Sequence, residues 1–98
     1  MNIRDTAEFR EWAVSLSENL RALVNDRLDR IRYNDHFGDT KNLGESLFKL
    51  KWKNGIRVYF AYAVDANGRA ILLLLGGDKD GQPRDIRKAR RILARETA

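Results

Sequence analysis

The stretch Leu47–Phe60, LFKLKWKNGIRVYF, constrains the fold more than any other part of the chain. Apolar and charged residues alternate through it, with the two-residue period of a strand that buries one face. Phe48, Leu50 and Trp52 fall on one face, and Lys49, Lys51 and Lys53 on the other. Ile56, Val58 and Phe60 then alternate with Arg57 and Tyr59. Asn54-Gly55 signals a hairpin between the two runs. A two-residue loop there would set Lys51 against Val58 and Lys53 against Ile56, mixing lysines with aliphatics. A three-residue loop, Lys53-Asn54-Gly55, with Gly55 left-handed in a G1 bulge, removes the mismatch. Trp52 then faces Ile56, Leu50 faces Val58 and Phe48 faces Phe60. On the other face Lys51 lies opposite Arg57, and Lys49 opposite Tyr59. A one-residue slip would turn every apolar side chain outward, so the pattern selects this register. The expected product is a sheet with one buried face and one face set with cations and a tyrosine.

The rest of the chain is read around that hairpin. Asn2–Arg4 is expected as a short leading strand. Thr6 is a plausible N-cap, with Glu8 near the positive end of the helix dipole. Phe9, Trp12, Ala13 and Leu16 follow at helical spacing, and Leu20, Leu23, Val24, Leu28 and Ile31 continue the stripe. Ser17 offers a cap for a second helix, although the period alone does not require a break. Tyr33–Glu45, polar and carrying Gly38 and Gly44, reads as the connection into the sheet, and His36 as a solvated loop side chain. Asn67-Gly68 is a second turn signal. Ala70–Leu75 is continuously apolar, as in a central strand buried on both faces. Gly76–Gly81 reads as a loop without the spacing of a phosphate-binding P-loop. Pro83 suits the first turn of a helix, and Asp85–Arg95 presents Ile86, Ala89, Ile92 and Leu93 as its apolar stripe.

A chain of 98 residues is expected to form one domain, residues 1–98, with a single modest core. Apolar content of 43% against 34% charged suits a globular chain rather than a disordered one. With no cysteine there is no disulfide framework and no thiolate metal site, and one histidine cannot build a multi-histidine centre. No cofactor is expected. The longest apolar run is too short to span a bilayer, and the N-terminus has no apolar signal segment. A cytoplasmic protein without membrane contact is therefore expected. Charge is placed unevenly: residues 1–45 carry net −2 and residues 46–98 net +7. The basic half points to a polyanionic partner, or else to a solubilising surface.

The ordered set Gly38-Asp39-Thr40-Lys41-Asn42-Leu43-Gly44, Arg57–Phe60, Gly76–Gln82 and Asp85-Ile86 resembles the RelE/ParE toxin superfamily, nearest its HigB-like killer-protein branch. The resemblance covers nearly the whole chain. It implies an α+β fold: an antiparallel sheet of three to four strands, two N-terminal helices on one face, and a C-terminal helix. It implies the toxin of a type II toxin–antitoxin module, with a cognate antitoxin expected to be a helix-turn-helix DNA-binding protein. RelE-like members cleave mRNA in the ribosomal A site, so ribosome and mRNA are expected partners. The family's RNase cations fall on Lys49, Lys51, Arg57 and Lys79, which become the expected catalytic residues. Lys53, Tyr59, Gln82 and Arg84 are the expected RNA contacts. The expected chemistry is metal-independent attack of a 2′-hydroxyl on the adjacent phosphate. RelE-like RNases often carry a tyrosine or histidine near the C-terminus, whereas this chain has no tyrosine after Tyr62 and no histidine after His36. Mutual pKa lowering among the clustered cations makes Lys49 or Lys51 a candidate general base, and the rest of the acid–base work is left unassigned. Two rival functions are a non-enzymatic inhibitor of DNA gyrase, resembling the ParE branch, and a plain RNA-binding module.

Overall fold

The computed structural model describes residues 1–98. Its elements are β1 (Asn2–Asp5), α1 (Ala7–Ser15), α2 (Glu18–Asn34), β2 (Thr40–Gly44), β3 (Leu47–Lys51), β4 (Ile56–Asp65) and β5 (Gly68–Asp78). A 3-10 turn over Lys79–Gly81 then leads into α3 (Gln82–Thr97). All five strands form one sheet in the order β1-β5-β4-β3-β2. The β3–β4 hairpin has the expected register, pairing Phe48 with Phe60, Lys49 with Tyr59, Leu50 with Val58 and Lys51 with Arg57. Its turn is the three-residue loop: Trp52 N donates to Ile56 O and Gly55 N to Trp52 O, both at 3.1 Å. Gly55 has a φ of +99°, which a Cβ would make costly.

The sheet departs from expectation in three places. It has five strands rather than three or four, and it is mixed rather than purely antiparallel. β1 lies parallel to β5, from Asn2 beside Ala70 to Asp5 beside Leu73. The second departure lies in Tyr33–Glu45, where residues Thr40–Gly44 form β2 against β3 instead of a loop. The chain reverses through Glu45 and Ser46, with φ of +52° and +69°. Two successive left-handed residues make the primed hairpin geometry without its usual Asn-Gly signal. The third is at Gly76–Gly81. β5 continues through Asp78 and a 3-10 turn fills Lys79–Gly81, while α3 starts at Gln82 with Pro83 in its first turn, as expected.

Helix boundaries follow from caps. Thr6 Oγ1 accepts from Phe9 N at 3.1 Å to start α1, and donates to Leu74 O at 2.8 Å, tying the cap to the sheet. Ser17 Oγ accepts from Leu20 N at 3.3 Å, so the stripe is divided into two helices there. Phe9, Val24, Leu28 and Ile31 of the two helices pack on Leu50, Ile56, Val58, Phe60, Ile71 and Leu73. Gly76 faces this layer; a Cβ there would lie 2.1 Å from the Trp12 ring, so only glycine admits the indole.

The opposite face is not open. Ala89 and Ile92 of α3 cover Leu47, Tyr59, Ala61, Leu74 and Leu75, forming a second apolar layer. The sheet is therefore sandwiched. Only the part of its second face nearest the β3–β4 turn, ahead of the first turn of α3, is left to the cations.

Candidate nucleic-acid interface

Two rows of side chains cross the sheet on the face that α3 shares. Directly paired residues point to the same side of a sheet. In the first row Lys41 of β2 pairs with Lys49, Lys49 with Tyr59, and Tyr59 with Leu75. In the second, Lys51 pairs with Arg57, and Arg57 with Gly77. The 3-10 turn brings Lys79 to the end of the second row. Its aliphatic stem lies against Gly55, 3.6 Å from where a Cβ would stand. Lys41, Lys49, Lys51 and Arg57, from three strands, thus share one end of one face, with Lys79 packed on the turn that closes the β3–β4 hairpin.

Each is held differently. Arg57 is half-buried, and its Nη1 donates to Trp52 O at 3.0 Å and Ile56 O at 2.9 Å. The guanidinium is thereby aimed by the backbone of the turn beside it. Its Nε is buried without a hydrogen-bond partner. Lys49 is buried, and its Nζ donates to Gln82 Oε1 at the start of α3. Burial lowers the Lys49 pKa first, and Arg57, Lys41 and Lys51 lower it further against the opposing charge of Asp39. Lys51 remains part-exposed, with Asp39 Oδ2 at 4.0 Å. A cluster of this kind is suited to an anion and keeps one lysine nearer to losing its proton.

The second-tier residues divide. Lys53 is exposed in the turn, and Arg84 is exposed at the first turn of α3, 3.3 Å from Asp85. Gln82 lies at the site but accepts from Lys49. Tyr59 corrects the sequence reading. It is fully buried under α3, its hydroxyl has no hydrogen-bond partner, and burial raises its pKa to about 12. It is a core residue and not an RNA contact. Alternation placed Tyr59 on the right face but carried no sign that a helix covers that point.

Two site residues were missed. Lys41 lay within a stretch read as a connection. Asp85 opens the stretch read as the last helix, and its side chain is buried. Its Oδ2 occupies the space beside Gly77, 2.2 Å from where a Cβ would be built. The spacing of Gly77 and Gly81 ahead of an acid was the one available signal. His36 is exposed, as expected.

A mixed five-stranded sheet between an N-terminal helix pair and one C-terminal helix is the fold of the RelE toxins. A double arginine mutant of E. coli RelE in the free state superposes with a TM-score of 0.69 at 14% identity, over 93% of this chain and 96% of that one. The intact E. coli RelBE toxin–antitoxin complex gives 0.62 at 15%, over 79% and 94%. The RelBE2 toxin–antitoxin complex of Mycobacterium tuberculosis gives 0.56 at 18%, over 79% and 95%. The chain belongs to the family of an uncharacterized protein of Haemophilus influenzae, to which it is 37% identical over 98% of its own length and 95% of that protein's. No protein-family model matches the sequence. No helix is long and apolar enough to cross a membrane.

Proposed function

We propose that this protein is the toxin of a toxin–antitoxin module and a metal-independent, ribosome-dependent mRNA endoribonuclease of the RelE/ParE superfamily, in its HigB-like branch. The observation that carries the reading is that Lys49, Lys51 and Arg57 share one face beside the first turn of α3, with Lys79 on the adjoining turn. In this reading Lys49, its pKa lowered, takes the proton of the 2′-hydroxyl. The 2′-oxygen attacks phosphorus and the bond to the 5′-oxygen breaks, leaving a cyclic phosphate. Arg57 stabilises the charge that builds on the equatorial oxygens, with its turn-held guanidinium as a preorganised donor. Lys51, beside it in the same row, supplies a proton to the leaving oxygen. Lys79, Lys53 and Arg84 hold flanking phosphates. The partner that silences the protein is a co-encoded antitoxin, in keeping with the antitoxin-bound RelE-fold chains above.

Translation in a purified cell-free system with mapping of mRNA 5′ ends tests this reading. New ends that need both the protein and the ribosome are the expected result. Growth arrest on induction without any mRNA cleavage would favour gyrase inhibition. RNA binding with neither arrest nor cleavage would favour a plain binding module.

A further inference from the structure

We propose that Asp85 is a positioning residue: its buried carboxylate seats the first turn of α3 beside Arg57 and so fixes the cation cluster. The proposal rests on the RNase reading above for its kinetic consequence, but its geometry stands apart from that reading. Asp85, Lys49 and Thr6 are the polar side chains buried in this chain. Burying a carboxylate is costly unless something answers its charge. Here the one cation within 4 Å is Arg84, whose Nε lies 3.3 Å away on a side chain that is itself largely exposed.

Two glycines make room for this arrangement. A Cβ on Gly77 would fall 2.2 Å from Asp85 Oδ2, and one on Gly81 would fall 3.0 Å from the same atom. Gly77 is the direct cross-strand partner of Arg57. The carboxylate therefore lies over β5 on the side of the sheet that Arg57 occupies, in the slot next to it. Asp85 and Arg57 also act with opposite sign on the same buried group, the Tyr59 hydroxyl. Arg57 is thus held by the turn carbonyls of Trp52 and Ile56, while the Asp85 carboxylate fills the space over its cross-strand partner Gly77. The same helical turn carries Gln82, whose Oε1 receives Lys49 Nζ. Unseating Asp85 would release both the phosphate-binding arginine and the candidate base, although Asp85 touches no RNA in this scheme.

The test is Asp85→Asn, which keeps shape and removes the charge, with Asp85→Ser as a second variant. Cell-free cleavage should fall roughly 10²-fold, the scale of a small misplacement of catalytic groups. The loss should appear mainly in kcat, with KM within about two-fold, because Lys53 and Lys79 keep their phosphate contacts and Arg84 loses only its pairing with Asp85. Independently of activity, 15N NMR should show the Arg57 Nε–H protected from exchange in the wild type and exposed in the variant. Tyr59 should titrate below its wild-type value, because a charge that raises it is gone. A folded variant with wild-type kcat and a still-protected Arg57 Nε–H overturns the proposal. So does failure of both variants to fold, which would make Asp85 a stability residue only. If the wild type itself cuts no mRNA, the RNase reading fails and the NMR arm alone decides the positioning role.

Discussion

Lys49 and Arg57 are neighbours of like charge on one sheet face, and their coupling predicts measurable behaviour. Arg57→Ala should lower cleavage by about 10²–10³-fold, as for loss of one preorganised donor. It should leave the circular dichroism spectrum unchanged, since Arg57 packs no apolar core. Arg57→Lys should fail as well, because an ammonium does not reproduce a fork held by two turn carbonyls. The rate should rise with pH through the Lys49 pKa, which lies below the usual 10.5 because of burial and then of Arg57. The linkage has the same sign for stability. A lysine whose folded pKa is depressed binds fewer protons than in the unfolded chain, so its contribution improves as pH rises through that window. Lys49→Met should flatten both limbs, and a rate limb unmoved in Lys49→Met would remove Lys49 as the base. These cations were legible in the sequence because alternation sorts side chains by face. Tyr59 was not, because its amphipathic side chain suits an open face and a helix-covered one equally. Asp85 was hidden because an acid in a first turn is favoured by the helix dipole whether or not it is buried.

Among the elements, the β3–β4 hairpin was the most readable, since its pattern excluded every other register. The β2–β3 hairpin was unreadable for a specific reason: its turn residues, Glu45 and Ser46, adopt left-handed backbone that the sequence does not advertise. Replacing them with Asn-Gly should stabilise the protein by about 1 kcal/mol, by removing the left-handed penalty of residues with a Cβ. A denaturant midpoint that falls instead would mean that these side chains have a contact worth more than the strain. Trp52 follows β3 on the core face but is only half-buried, and the Arg27 guanidinium lies 4.5 Å over its ring. Trp52→Ala should therefore cost about 1–2 kcal/mol, less than the 3–5 kcal/mol of a fully buried tryptophan. Arg27 also donates to Phe37 O at 2.9 Å and Asp39 O at 2.6 Å, fastening α2 to the approach of β2. Arg27→Met, which keeps the stem and loses the fork, should cost more than Trp52→Ala. The same denaturant series compares the two. That side chain read only as part of a polar helix face, because no local pattern names carbonyls so distant in sequence.

Across the whole molecule, the two helical layers are joined by one ion pair at the rim. Arg95 of α3 donates to both carboxylate oxygens of Glu8 of α1, at 2.5 and 3.0 Å. These bonds, followed by a backbone hydrogen bond, lower the Glu8 pKa from 4.5 to about 2. A depressed carboxylate pKa contributes stability that is present above the unfolded value and lost as pH falls through the folded one. The pair should thus steepen acid unfolding between about pH 4.5 and 2. Glu8→Gln should flatten that limb in a thermal-melt series across pH. An unchanged slope would show that solvent screening cancels the pair. The fold class was legible from element order, but the parallel seam between β1 and β5 was not, since its partners are far apart in the chain. Thr6, which caps α1, reaches Leu74 across 68 positions. That seam bears on how the protein is made. While the polypeptide is being synthesised, β1 and both N-terminal helices leave the exit tunnel with no sheet to receive them. Closing so long a loop is slow and waits on the arrival of β5. The nascent chain should therefore hold at most its local hairpins, with the N-terminal helices undocked, until β5 has emerged.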